Sequence, residues 1–363
     1  MKLGVVTTSY PRFAGDPAGN FVAGHVGALR ALGHHVEIIA AGAAAAATPA
    51  PGDPVRVGGA RLFYRGGAPD ALERAPLGAG AAAAVFTARL TAAVTARAHR
   101  WDAIIAHWLA PSAIAALASA PPLVAIAHGG DVFTLRRLRL LGPVLRALRR
   151  RDARLVFVGE HLRTIARDAA PALAPWLERA IIQPMGLDLA RFAALARAPS
   201  DPPVVLVVAR LVPIKGVDVA IAAMPHVRRG ARLVIAGAGP ERDRLARAAG
   251  AHALVGEVTT DRRDELLRTA GVVVVPSRIA PSGRTEGTPA IALEALAAGV
   301  PVIASAVGGL CELPGVRLVP PDDPLALGRA IDHVIGHPPS AAALRAGVAG
   351  LDWREVAPHL LRE

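Results

Sequence analysis

The chain has 363 residues, of which 53% are hydrophobic, 19% charged and 4% aromatic, which excludes a single small module and disorder driven by charge. The scarcity of aromatic residues beside abundant Ala, Val and Leu favours helices packed on sheets over a β-sandwich. Forty-one basic against 29 acidic residues leave a formal charge of +12, so an anionic partner is expected, whether nucleic acid, a membrane surface or a phosphorylated substrate.

The opening LGVVTT reads as a short strand that breaks at Ser9-Tyr10-Pro11. Its apolar run is too short for a signal peptide and the single Cys311 cannot form an internal disulfide, so a reducing cytoplasm is the expected setting. A Gly/Pro-rich loop leads to a helix over 21–32, Gly33 ends it, and VEIIA from Val36 begins a second strand, a βαβ opening. Residues 41–54 are low-complexity Ala/Pro/Gly and read as a surface loop. The longest uncharged stretch, 103–127, reaches spanning length but contains His107, Pro111, Pro121 and Pro122. It therefore reads as strand, loop, short helix and strand, not as a membrane span.

Apolar runs from Leu123 (LVAIA), Leu155 (LVFV) and Ala180 (AIIQ) continue a parallel, doubly wound sheet. Between them, LRRLRLLGPVLRALRRR over 135–151, from Leu135 to Arg151, interleaves leucines with seven arginines. It reads either as amphipathic helices with a solvated basic face or as a peripheral contact with anionic lipid. The Pro-rich end of 191–203 loses periodicity, and VVLVVA from Val204 opens a second α/β series through LVIAGAG, VVVVPS and VPVIAS. Each of these strands ends in small or polar residues, where ligands gather in open sheets. The expected architecture is α/β, with two Rossmann-like, doubly wound domains over 1–195 and 204–340 facing a cleft.

Three stretches carry chemistry. In ARLVPIKG, Arg210 ends a strand and Lys215-Gly216 form a turn before a helix that starts near Asp218, an arrangement suited to a diphosphate. Lys occurs only at positions 2 and 215 of an Arg-rich chain, which favours a specific task for Lys215. GAGPERDRL, from Gly237, imitates a dinucleotide fingerprint, but Arg242 stands where the third glycine belongs, so it reads as a tight turn near a ligand. In EGTPAIALEALAAGVPVIAS, Gly287 and Thr288 precede a Pro at the start of a helix, and both count as ligand-binding candidates. Glu286 lies at that N-terminus, where it can meet sugar hydroxyls. Glu294 lies about two turns along, where it can accept from both hydroxyls of a ribose. A carboxylate in so apolar a helix needs partners.

These segments, with VGG from Val307, resemble the donor-binding half of the GT-B glycosyltransferases of family 4. In the first half, YPRFAGDPAGNFVAGHVGALRALGHHVEII, AHWLAPS, AHGGDVF and QPMGLDLARF follow the pattern of the same family in the same order, so the resemblance covers nearly the whole chain. It implies transfer of a hexose from a UDP- or GDP-sugar, with retention, to a glycan or lipid-linked acceptor. Arg210 and Lys215 would bind the diphosphate, Glu294 the ribose and Glu286 the transferred sugar. Gly19 would approach the phosphates, His128 would face the donor sugar, and residues 341–363 would carry a helix returning to the first domain.

No Asp-x-Asp occurs, so no metal or other cofactor is expected. A cytoplasmic site at the inner face of a membrane would suit a lipid-linked acceptor. The alternatives are a nucleotide-sugar epimerase of the same fold and a basic nucleic-acid-binding protein. Dispersed arginines and few stacking residues oppose the latter, so nucleic acid is not an expected partner.

Overall fold

The computed structural model describes residues 1–43, 52–64, 67–250 and 252–361, so most of the low-complexity loop expected over 41–54 lies outside the described residues. The chain divides into two compact units, one formed by Met1–Gly186 with Trp353–Glu363, the other by Leu187–Asp352.

In the first unit, seven strands form one wholly parallel sheet: β1 (Lys2–Thr7), β2 (His35–Gly42), β3 (Val55–Gly59), β4 (Ala103–His107), β5 (Leu123–Ala127), β6 (Arg154–Phe157) and β7 (Ile181–Ile182). Their order is β3-β2-β1-β4-β5-β6-β7, so direction along the sheet reverses between β1 and β4, where such folds gather ligands beyond the carboxyl ends of the strands. β4 and β5 are buried throughout, which is why they read as unbroken apolar runs and not as alternating ones. The stretch 103–127 is accordingly β4, a kinked turn with a short helix, and β5.

Among the described residues, helix Pro76–Ala98 alone is long and apolar enough to cross a membrane. It packs Phe86, Leu90, Val94 and Ala98 into the core of the first unit. Helix Trp353–Leu361 buries Trp353, Val356, Ala357 and Leu360 in the same core.

In the second unit, β8 (Val204–Val208), β9 (Arg232–Ala236), β10 (Ala253–Gly256), β11 (Ala270–Val275), β12 (Val302–Ser305) and β13 (Val316–Val319) form a parallel sheet ordered β10-β9-β8-β11-β12-β13. The two topologies make both units Rossmann-like. The crossings between units fall at Gly186/Leu187 and Asp352/Trp353, which corrects the boundaries expected at 195–204 and 340/341. The physical reason is burial: Leu187 and Phe192 on one segment, and Leu344 and Val348 on the other, complete the core of the second unit.

Candidate functional site

The second unit gathers cations and a carboxylate at the carboxyl ends of β8 and β11. After β8, Arg210 is exposed and the turn Pro213–Lys215 brings Lys215 inward. Gly216 makes this possible: its φ is +58°, and a Cβ there would lie 1.9 Å from the carbonyl oxygen of Pro276. The turn is pinned because the Arg278 N–H donates to the carbonyl of Ile214 at 2.8 Å, and the Arg278 guanidinium holds both oxygens of Asp218 at 2.9 and 3.0 Å.

Lys215 Nζ and Ser277 Oγ both donate to one oxygen of Glu286, Oε1, at 2.6 and 2.7 Å. Glu286 is buried, which pushes its carboxyl up, but Lys215, Ser277 and the charge of Arg210 pull it below the ordinary carboxylate range. It is thus an ionised acceptor whose second oxygen makes neither of these bonds. Its backbone carbonyl accepts from Gly309 of the VGG segment at 3.2 Å. Gly287 and Thr288 follow it as half-buried residues before helix Ala290–Ala297. At GAG, the group approaching the backbone of Gly237 is the carbonyl of Ala209, 1.8 Å from an added Cβ. That turn therefore packs tightly on the backbone that follows β8.

Glu294 has a different ion-pair partner. It is buried, and Arg263 from helix Thr260–Thr269 pairs with its Oε1 at 3.0 Å. Burial raises its carboxyl, Arg263 opposes, and Asp264 adds to the rise. Asp264 in turn accepts from Arg191 Nε at 2.9 Å. The partner that an apolar helix requires for its carboxylate is therefore Arg263, a residue whose neighbours TTDRRDELL gave no sign of the pairing.

In the first unit, Gly19 precedes helix Asn20–Ala31 with φ +70°, and a Cβ there would meet the carbonyl of Ser9 at 2.5 Å. The loop before it is organised by buried Asp16, which accepts from the backbone of Arg12 and Ala18 at 2.9 and 3.1 Å. His128 follows β5 and keeps part of its surface open. The Asp131 carboxylate fixes this corner by accepting from the backbone N–H groups of His128, Gly129 and Leu109 at 3.1, 2.9 and 2.6 Å. Burial nonetheless pushes Asp131 up to about 6.

Behind His128 runs a chain of imidazoles that the sequence did not reveal. His128 Nε2 lies 3.0 Å from His107 Nδ1, and His107 Nε2 lies 3.2 Å from His25 Nδ1. His25 stacks on Trp353 with ring centroids 5.1 Å apart and planes 6° from parallel. Burial lowers His25 and His128 to about 3 and His107 well below its ordinary value.

The basic stretch 135–151 spans the end of helix Gly130–Arg137 and helix Leu141–Arg150. Leu135, Leu141, Leu145 and Leu148 are buried, while Leu138 and Leu140 are each 48% exposed. Arg151 donates to the carbonyls of Ser119, Ala120 and Pro121 and so serves the fold. Arg136, Arg137, Arg139, Arg146, Arg149 and Arg150 are exposed.

Residues 202–337 match the family model described as glycosyl transferases group 1. Glycogen synthase of Mycobacterium tuberculosis is 33% identical over 300 residues, which span 74% of this chain and 70% of that protein. The chain belongs to the group 1 glycosyltransferases. This glycosyltransferase is also 36% identical over 267 residues to a GDP-mannose-dependent alpha-(1-6)-phosphatidylinositol monomannoside mannosyltransferase of Mycolicibacterium smegmatis, covering 66% of the chain and 67% of that relative. Its fold matches sucrose-phosphate synthase from Thermosynechococcus elongatus with a TM-score of 0.71 at 22% identity, covering 99% and 97% of the two chains. It matches Anabaena HepE in complex with UDP and glucose with a TM-score of 0.68 at 18% identity, with the same coverage. These structural likenesses confirm the GT-B fold.

Proposed function

We propose that this glycosyltransferase moves a hexose from a UDP- or GDP-sugar, with retention of configuration, to a glycan or lipid-linked acceptor. The observation that carries the reading is the Glu286 clamp: one carboxylate oxygen held by Lys215 and Ser277, with Arg210 at an exposed strand end nearby. A diphosphate needs fixed positive charge where the leaving group gathers negative charge, and two cations beside a turn supply it. Glu286 accepts from hydroxyls of the transferred sugar, and Glu294 serves the ribose once Arg263 shares it. Gly287, Thr288 and Gly19 line the donor, and His128 meets the transferred sugar.

In this reading the bond to the leaving diphosphate weakens first, and an oxocarbenium-like sugar develops. The acceptor hydroxyl attacks from the same face and gives its proton to a departing phosphate oxygen, which needs no protein nucleophile. Arg210 and Lys215 supply the charge that a metal would otherwise supply, so the reaction runs without one. Two relatives support a polymeric or lipid-linked acceptor by their names, glycogen synthase and the phosphatidylinositol mannoside mannosyltransferase. With such an acceptor the enzyme works at the inner face of a membrane, touching anionic lipid through the exposed arginines of 135–151.

A thermal-shift screen over UDP- and GDP-sugars tests the donor, because a ligand bound only by the native state raises its apparent stability. A rise with one nucleotide sugar, followed by transfer of labelled hexose to an acceptor, is the expected result. No shift with any of them, or an altered sugar without transfer, contradicts the proposal.

A further inference from the structure

The imidazole chain behind His128 has a direction, and its inner end sets it. A neutral imidazole carries one N–H and one lone pair. Burial holds all three rings neutral. Three neutral rings joined by two hydrogen bonds use two of their three protons, and the third must sit on a terminal nitrogen, either His25 Nε2 or His128 Nδ1.

The two ends differ. His25 Nε2 is sealed from solvent and has no hydrogen-bond partner among the described residues. A buried N–H without an acceptor is the rarer and costlier orphan, so the sealed end takes the lone pair. Each ring then donates outward: His25 Nδ1–H to His107 Nε2, and His107 Nδ1–H to His128 Nε2. The spare proton arrives on His128 Nδ1, which is not among the sealed nitrogens.

We infer that His25 and His107 are positioning residues that fix His128 in its Nδ1–H tautomer, so that its open nitrogen is a hydrogen-bond donor suited to a hydroxyl or phosphate oxygen of the bound nucleotide sugar. The inference rests on the proposed function for its ligand, while the tautomer itself does not. Phe21 and Trp108, whose rings lie 5.0 and 4.8 Å from the His128 ring, hold the imidazole in the plane that its hydrogen bond with His107 requires.

The test uses the full chain labelled with 15N-histidine, with ring nitrogens classified by long-range proton–nitrogen spectra and His128 assigned by the signals lost in His128→Gln. The expected result is a proton on His128 Nδ1 and a bare Nε2; a proton on Nε2 overturns the inference. Two variants separate direction from folding. His107→Asn places an amide N–H where Nδ1 stands, and His128 is expected to keep its tautomer. His107→Leu removes the donor, and His128 is expected to populate both forms; a pure Nδ1–H form in that variant would show that the chain does not set it. Once the donor is known, turnover is expected to fall further in His107→Leu than in His107→Asn, and equal turnover overturns the role in the reaction. If no nucleotide sugar is used by the unaltered enzyme, the proposed function fails and the spectra still decide the tautomer.

Discussion

At Glu286, burial and charge compete, and the cations win, leaving the carboxyl below its ordinary range. Lys215→Ala removes the largest opposing charge and one of two donors to Oε1, so both the carboxylate and the proposed phosphate contact suffer. Loss of one preorganised donor costs about 2.7–4 kcal/mol in the transition state, so Lys215→Ala and Arg210→Ala are each expected to lower kcat/KM by about 10²–10³. Steady-state kinetics on variants with unchanged melting temperature checks this, and near-normal turnover in both would remove the assignment. The histidines give a second residue-scale prediction. His25 titrates near 3 in the folded chain against about 6.5 unfolded, so its contribution is complete above pH 6.5 and declines as pH falls towards 3. The slope is up to about 1.4 kcal/mol per pH unit. His128 acts in the same sense, whereas Asp131, raised to about 6, gains stability as pH falls from 6 towards 3.8 and offsets one of them. His25→Phe should flatten the fall in melting temperature between pH 6.5 and 4; an unchanged slope would refute the assignment. Lys215 and Glu286 were legible because a lone lysine in an arginine-rich chain and a glutamate before a Pro-initiated helix are local signals. His25 and His107 were not, since their meaning lies in pairing across 82 residues.

The elements show why some of the fold could be read and some could not. β4, β5, β8 and β11 are interior strands, buried on both faces, and announce themselves as apolar runs. β3, β10 and β13 lie at sheet edges, with burial patterns that are mostly partial or exposed, so their sequences carry neither a run nor a clean alternation. The unit boundaries were misplaced for a related reason: a Pro-rich stretch marks irregular backbone, whereas the crossing is decided by which core takes Phe192 and Val348. Helix Trp353–Leu361 is held to the first unit through Trp353, Val356, Ala357 and Leu360. The Trp353 indole fills a space where a Cβ on Gly24 would lie 2.4 Å from Nε1 and one on Gly186 2.5 Å from Cδ2, and it stacks on His25. Trp353→Ala should therefore destabilise the protein by about 3–5 kcal/mol, measured by denaturant unfolding. Gly186→Val, which forces the indole out without removing it, should also destabilise; a neutral effect from both would mean that the indole is not what anchors this helix.

Across the whole molecule, a formal charge of +12 attracts any polyanion, and the arrangement of side chains decides among them. Aromatic residues form 4% of the chain, too few to build a stacking platform for bases. Six arginines of 136–150 are exposed together with Leu138 and Leu140, whereas the other four leucines of 135–151 are committed to the core. That division makes a specific prediction about the proposed contact with anionic lipid. With little apolar area to insert, binding should be electrostatic, at about 1 kcal/mol for each arginine near the headgroups. The enzyme is expected to pellet with vesicles rich in anionic lipid at low salt, to stay in solution with neutral vesicles, and to be released at 1 M salt, where the Debye length shrinks to about 3 Å. The triple variant Arg146→Glu, Arg149→Glu, Arg150→Glu should weaken the interaction by at least about 3 kcal/mol, or over 100-fold, with nucleotide-sugar binding unchanged, because none of the three belongs to the Glu286 cluster. Failure to pellet at low salt would sink the contact, and retention at high salt would mean that leucines leave the core to enter the lipid.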